Sequence, residues 1–85
     1  MTEDKLTRKV LNIMRKVLNS MRKRLAGEWS GWDGETLVTL FDGSRWQQDE
    51  YYYEYRYSFM PWATIEHGKM LVDGMNRAVR VRRID

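Results

Sequence analysis

At Gly27 the spacing of apolar residues changes, and that change limits the chain to two kinds of structure joined end to end. Upstream, the stretch TEDKLTRKVLNIMRKVLNSMRKRLAG holds neither proline nor an internal glycine. Its Leu6, Val10, Leu11, Ile13, Met14, Val17, Leu18, Met21 and Leu25 recur every three or four residues. At about 100° per residue they share an arc of roughly 160°, as a helix with one covered face requires. Glu3 and Asp4 suit the positive end of a helix dipole, and Arg22, Lys23 and Arg24 the negative end. Gly27 suits the left-handed turn beyond a last helical residue. The spacing predicts a helix over 4–26.

Downstream the period falls to two. EWSGW (28–32), ETLVTLF (35–41), SRWQQ (44–48), WATIE (62–66), KMLVD (69–73) and RAVRVRRI (77–84) read as short strands, parted by the turn pairs DG, DG, HG and DG. Asp49 and Glu50 are poor strand formers and mark a bulge or a bend. Pro61 ends the extended run that precedes it or sits at a sheet edge. The predicted fold is α+β: an amphipathic helix (1–26) followed by a small antiparallel barrel of five or six strands (27–85), one compact domain overall.

The extended run is YYYEYRYSF, residues 51–59, with five tyrosines and a phenylalanine. Alternate side chains of a strand share a face. Tyr51, Tyr53, Tyr55, Tyr57 and Phe59 therefore form an all-ring face, and Tyr52, Glu54, Arg56, Ser58 and Met60 a mixed face expected to meet solvent. A small interior that must also house Trp29, Leu40, Trp46, Ile65, Leu71 and Val79 has no room for five more rings. The ring face is expected to lie under the N-terminal helix, at a protomer interface, or against a ligand. Tyrosine suits such a boundary, because the ring is covered while the hydroxyl keeps a polar partner.

Composition narrows the partners. A chain of 85 residues buries only ~60–65% of its unfolded surface, and chains of that size lean on disulfides, metals or oligomerisation. There is no cysteine and one histidine, His67, so self-association is the stabiliser expected here. The absence of cysteine fits a reducing compartment, the N-terminus MTEDK resembles no secretory leader, and no apolar run approaches the ~20 residues of a membrane span; the expected location is cytoplasmic. Residues 1–26 carry eight basic and two acidic residues, and residues 27–85 seven basic and ten acidic.

No catalytic constellation is visible. Ser20, Ser30, Ser44 and Ser58 lack a nucleophile-elbow setting, His67 sits in a turn with no triad partner, and Asp49 beside Glu50 diverges along a strand. The expectation is a protein that is not an enzyme and needs no cofactor or metal.

The segments GWDGETLVTLFDGSRWQQDEYYYEYRYSFMP, WATI and MLVDGMNRAVRVRRI together resemble a family of small bacterial domains of uncharacterised function. The shared pattern falls on Gly31, Trp32, Gly34 and Thr36; on Asp42, Gly43, Trp46 and Gln48; on Tyr53, Tyr55, Tyr57, Phe59 and Pro61; on Val72, Asp73 and Gly74; and on Val81, Arg83 and Ile84. The resemblance covers 27–84 and implies an SH3-like β-barrel without an assigned activity. It departs at Asp42-Gly43-Ser44, where the family pattern usually has Asn-Gly-Gln.

The helix lies outside the resemblance. Leu11, Met14, Leu18, Met21 and Leu25 follow a seam-like spacing, and Val10 and Val17 widen it. One edge is expected to pack on its own barrel and the other to meet a partner helix. The expected function is a non-catalytic interaction module, a homodimer joined through Leu11, Met14, Leu18, Met21, Leu25, Tyr53, Tyr55 and Tyr57. The alternative is nucleic-acid binding, with Lys9, Arg15, Lys16, Arg22 and Lys23 as a phosphate-neutralising stripe. A membrane-surface role is disfavoured by the lack of Trp or Phe on the apolar face.

Overall fold

The computed structural model describes residues 5–85, with the side chains of 5–15 and 22–85. Among the described residues there is one helix, α1 (Lys5–Met21), and eight strands: β1 (Arg22–Arg24), β2 (Glu28–Asp33), β3 (Leu37–Thr39), β4 (Arg45–Gln48), β5 (Tyr53–Phe59), β6 (Trp62–Glu66), β7 (Lys69–Val72) and β8 (Val79–Arg83). Six strands form one antiparallel sheet in the order β1-β6-β7-β8-β4-β3, and β2 pairs with β5 in a second. The large sheet curls until its ends meet: Leu25 bridges Leu40, Ala26 N donates to Thr39 O at 2.9 Å, and Phe41 N donates to Arg24 O at 2.7 Å.

This corrects the expected fold class. The protein is mainly β, with eight strands in two sheets and one helix, and not an α+β helix-plus-barrel of five or six strands. The helix is also shorter than predicted. It stops at Met21 without a glycine, because Arg22, Lys23 and Arg24 pair with Thr64, Ala63 and Trp62 at the edge of β6. Those strand bonds, and the burial of Leu25 just beyond them, outweigh the helical spacing that runs on through Leu25. Gly27 therefore follows a strand and not a helix. The predicted start of the helix at residue 4, with Glu3 and Asp4 at its positive end, lies outside the described residues.

The core gathers Leu25, Trp29, Trp32, Val38, Leu40, Ala63, Met70, Val72, Met75, Val79 and Val81, with Trp46, Tyr52 and Ile65 packed against it. Leu71, expected inside, is exposed; Met70 and Val72 alternate inward from β7 in its place. Strict alternation would send Trp29 and Trp32 to opposite faces of β2. A bulge between Trp29 and Gly31 shifts the register and lets both point inward, where their rings meet edge to face at 4.9 Å and Trp29 Nε1 donates to Met75 Sδ at 3.4 Å. Among the described residues no helix is long and apolar enough to cross a membrane.

Candidate functional site: an outward aromatic face and a projecting helix

Two tryptophans from β2 fill the core beneath the small sheet, and this settles which side of β5 turns inward. The mixed side of β5 lies over the body and the ring side faces out, the reverse of the exposure expected for the mixed side. Tyr52 and Glu54 on the inward side find partners in the 73–77 segment, while the Ser58 hydroxyl is buried without a hydrogen-bond partner among the described residues. Tyr52 packs on the core with the Arg77 guanidinium 4.3 Å above its ring. Its hydroxyl donates to Glu54 Oε1 at 2.7 Å, and the Glu54 carboxylate accepts the Asn76 N–H at 3.1 and 3.2 Å. The Arg56 side chain lies against Gly74. Ser58 stands across from Trp29.

The outward side carries Tyr51, just before β5, and Tyr53, Tyr55, Tyr57 and Phe59 along it. All five are between 54% and 87% exposed. Tyr51 and Tyr53 pack edge to face at 5.1 Å. Beside them the bulge of β2 leaves a depression of about 420 Å³, lined by Ser30, Gly31, Trp32, Asp33, Tyr53, Glu54 and Tyr55. A larger depression of about 510 Å³ lies elsewhere, along β6 and β7, lined by Thr64, Glu66, His67, Lys69, Leu71 and Ala78.

The ring face is rimmed by acids. Tyr57 O–H donates to Glu28 Oε1 at 3.2 Å, and the Glu28 charge pushes the Tyr57 phenol above its ordinary 10.0. The Tyr53 phenol is raised as well, first by its hydrogen bond with Tyr51 and further by the charges of Asp33 and Glu35. Neither β2 nor the ring side of β5 carries a lysine or arginine.

The β2–β3 connection that holds this rim is built around Gln48. Its buried amide accepts from Gly34 N at 2.8 Å and Thr36 N at 3.3 Å, and donates to Glu50 O at 3.0 Å and Tyr52 O at 2.8 Å. Thr36 Oγ1 donates to Asp33 Oδ1 at 2.8 Å. Ser44 is buried: its hydroxyl donates to Asp42 Oδ1 at 2.6 Å and accepts from Trp46 Nε1 at 3.0 Å. These pattern residues, singled out in sequence as a motif, are turn scaffolding.

Helix α1 packs against β1 and β6, with no comparable contact to β5. The expectation that the helix of the same chain covers the rings is therefore corrected. The described part of its apolar face is uncovered too: Leu6, Val10, Leu11, Ile13 and Met14 are 40–71% exposed. The expected packing of one helix edge on its own sheet is not seen for these residues. The protein measures 50 Å along its longest axis against 25 and 22 Å across.

Of the predicted interface residues, Leu11 and Met14 lie on this exposed stripe and Tyr53, Tyr55 and Tyr57 on the exposed ring face. Leu25 does not join them; it is 3% exposed in the core and belongs to the curled sheet. The side chains of Leu18, Met21 and Lys16 lie outside the described residues. Of the predicted phosphate contacts, Lys9 and Arg15 are exposed on α1, while Arg22 and Lys23 are on β1. Arg22 pairs with Asp73 at 2.7 Å and lies 5.9 Å over the Trp62 ring; Lys23 Nζ is 3.8 Å from Asp42. Both depart from the helical stripe and face carboxylates.

His67 is exposed in the β6–β7 turn, with Nε2 3.4 Å from Glu66 Oε1. Among the described residues no group of three or more His, Cys, Asp or Glu side chains is placed to hold a metal ion. No family model matches the chain, and no curated protein or solved structure matches it.

Proposed function

We propose that the protein is a non-catalytic interaction module that associates with itself through α1 and the ring face of β5. The observation that carries this reading is that both surfaces are apolar and both are uncovered in a single chain. At ~200 Å² per ring, the five outward rings alone present roughly 700 Å². The largest apolar patch of an ordinary monomer is about 300–600 Å², and a stable interface takes about 800 Å² from each partner. A lone amphipathic helix of this length is also marginal in water unless its apolar face is covered.

Light scattering across micromolar concentrations tests the reading. A mass of two chains supports it, and a single-chain mass throughout removes it. Leu11→Asp and Tyr55→Glu should each lower the mass while leaving the β-sheet circular dichroism unchanged, since neither side chain belongs to the core.

A second reading, binding of nucleic acid through the basic stripe, draws on the exposure of Lys9 and Arg15. It is weakened by the engagement of Arg22 and Lys23 with Asp73 and Asp42 and by the acids around the rings, which repel phosphate. Its test is fluorescence anisotropy with labelled DNA and RNA at two salt concentrations. Phosphate binding weakens steeply with salt, and no binding at low salt removes this reading.

A further inference from the structure

We infer that α1 of one copy lies along the ring face of a second copy, reciprocally, so that each copy covers the other's β5. This rests on the self-association proposed above and names which surface meets which.

Charge favours this pairing over a helix against a helix. The segment Lys5–Met21 contains five bases and no acid. Two such helices side by side would set base against base, with no acidic flank to pair across the seam. The ring face offers the complement: Glu28, Asp33 and Glu35 stand beside it, and the sheet that carries it contributes no base to that side.

The stripe also fits. At about 100° per residue, Lys9 and Arg15 fall on opposite borders of the apolar arc, ~40° outside it. With Val10 and Met14 set down on the rings, these two long side chains flank the contact. They can bury their stems along the rings and carry their charges to the rim acids, and a guanidinium or ammonium on a tyrosine face is itself attracted. Lengths agree: 17 helical residues span ~25 Å, and the seven residues of β5 with Tyr51 ahead of them span roughly 30 Å. Because, among the described residues, α1 approaches only β1 and β6 of its own chain closely, its own β5 stays open to a second copy's helix.

The chain lacks cysteine, so single introduced thiols report contacts cleanly. Met14→Cys and Tyr55→Cys variants carrying tags of different mass are mixed in equal amounts and oxidised, while the unmodified chain is weighed by sedimentation. The inference expects a dimeric unmodified chain and a mixed disulfide between the two variants in at least tenfold excess over either like-with-like product. A dimeric chain that links Met14 positions to each other, or yields no mixed product, overturns the inference and leaves self-association standing. A monomeric chain removes both.

A charge swap checks the same contact without thiols. The Lys9→Glu, Arg15→Glu double variant should weaken self-association about tenfold. Mixing it with a Glu28→Lys, Glu35→Lys double variant should restore association in the mixture. If like charges fail to separate the first variant, or opposite charges fail to rejoin the pair, the helix does not meet this rim.

Discussion

Gly31→Ala would place a methyl group inside the backbone of the neighbouring strand. Gly31 stands opposite Tyr55 at the β2 bulge with φ +103°, and a Cβ there would lie 2.0 Å from Glu54 O and 2.9 Å from Arg56 N. Both atoms are main chain, so no side-chain rotation relieves the contact; β5 must move away or the pairing must slip. Holding alanine at that φ costs about 1–3 kcal/mol. Each ladder hydrogen bond lost adds about 1 kcal/mol, and opening two or three brings the total to about 3–6 kcal/mol. A domain of 85 residues has about 4–13 kcal/mol of stability in all, so the variant approaches its unfolding limit. Gly43→Ala is the control, since Gly43 has φ +89° but no atom within 4 Å of an added Cβ; it meets the backbone strain alone. Urea unfolding followed by tryptophan fluorescence reads both, because Trp29 and Trp32 flank the bulge. Gly31→Ala should lose at least about 2 kcal/mol more than Gly43→Ala. Equal losses would refute the claim that close strand approach, and not backbone angle, fixes glycine at position 31.

Gln48→Ala removes an amide that serves two N–H groups and two carbonyls, and should cost about 2–4 kcal/mol in urea unfolding. Gln48→Glu keeps the acceptor but turns the donor into an oxygen facing two carbonyls, so it should recover nothing near neutral pH; recovery would show that the donor half of the clamp is idle. Acid should destabilise the fold. The Arg80 backbone N–H, and then the Arg77 guanidinium, hold the Glu50 carboxyl below its ordinary 4.5, while the Glu35 N–H lowers Asp33 and the Ser44 hydroxyl lowers Asp42. In each case the folded state prefers the ionised form, so the contribution is present above the unfolded value and lost as pH falls through the folded one. The urea midpoint should therefore drop between about pH 5 and about pH 3, and Glu50→Gln should flatten that drop; an unchanged slope would exclude Glu50 as a contributor.

What the sequence could reveal here depended on whether a residue's partner was near it in the chain. The β6–β7 hairpin was legible because WATIE, HG and KMLVD are contiguous, and the strand positions came out as Trp62–Glu66 and Lys69–Val72. The alternation of rings along 53–59 was legible for the same reason, since a period of two is local. Which side of that strand turned inward was not. It depended on Trp29 and Trp32 both entering the core through a bulge, and on Glu54, Tyr52 and Arg56 finding Asn76, Arg77 and Gly74 some twenty residues on. A polar face with such partners is cheaper to turn inward than five rings are to crowd into a core already filled by tryptophan. Leu25 shows the same limit more sharply. It extends the helical stripe of residues 6–21 in perfect phase, yet its burial comes from Leu40 and from a strand whose partner, β6, is forty residues distant. The phase that misplaced the end of the helix also explains the uncovered stripe that remains. Because Arg22–Arg24 are drawn into the sheet, the helix ends at Met21, and Leu6, Val10, Leu11, Ile13 and Met14 stand exposed on it. Extending the helix through Leu25 would break the β1–β6 pairing and the Leu25–Leu40 bridge that closes the curled sheet, and that is what fixes the end of the helix at Met21.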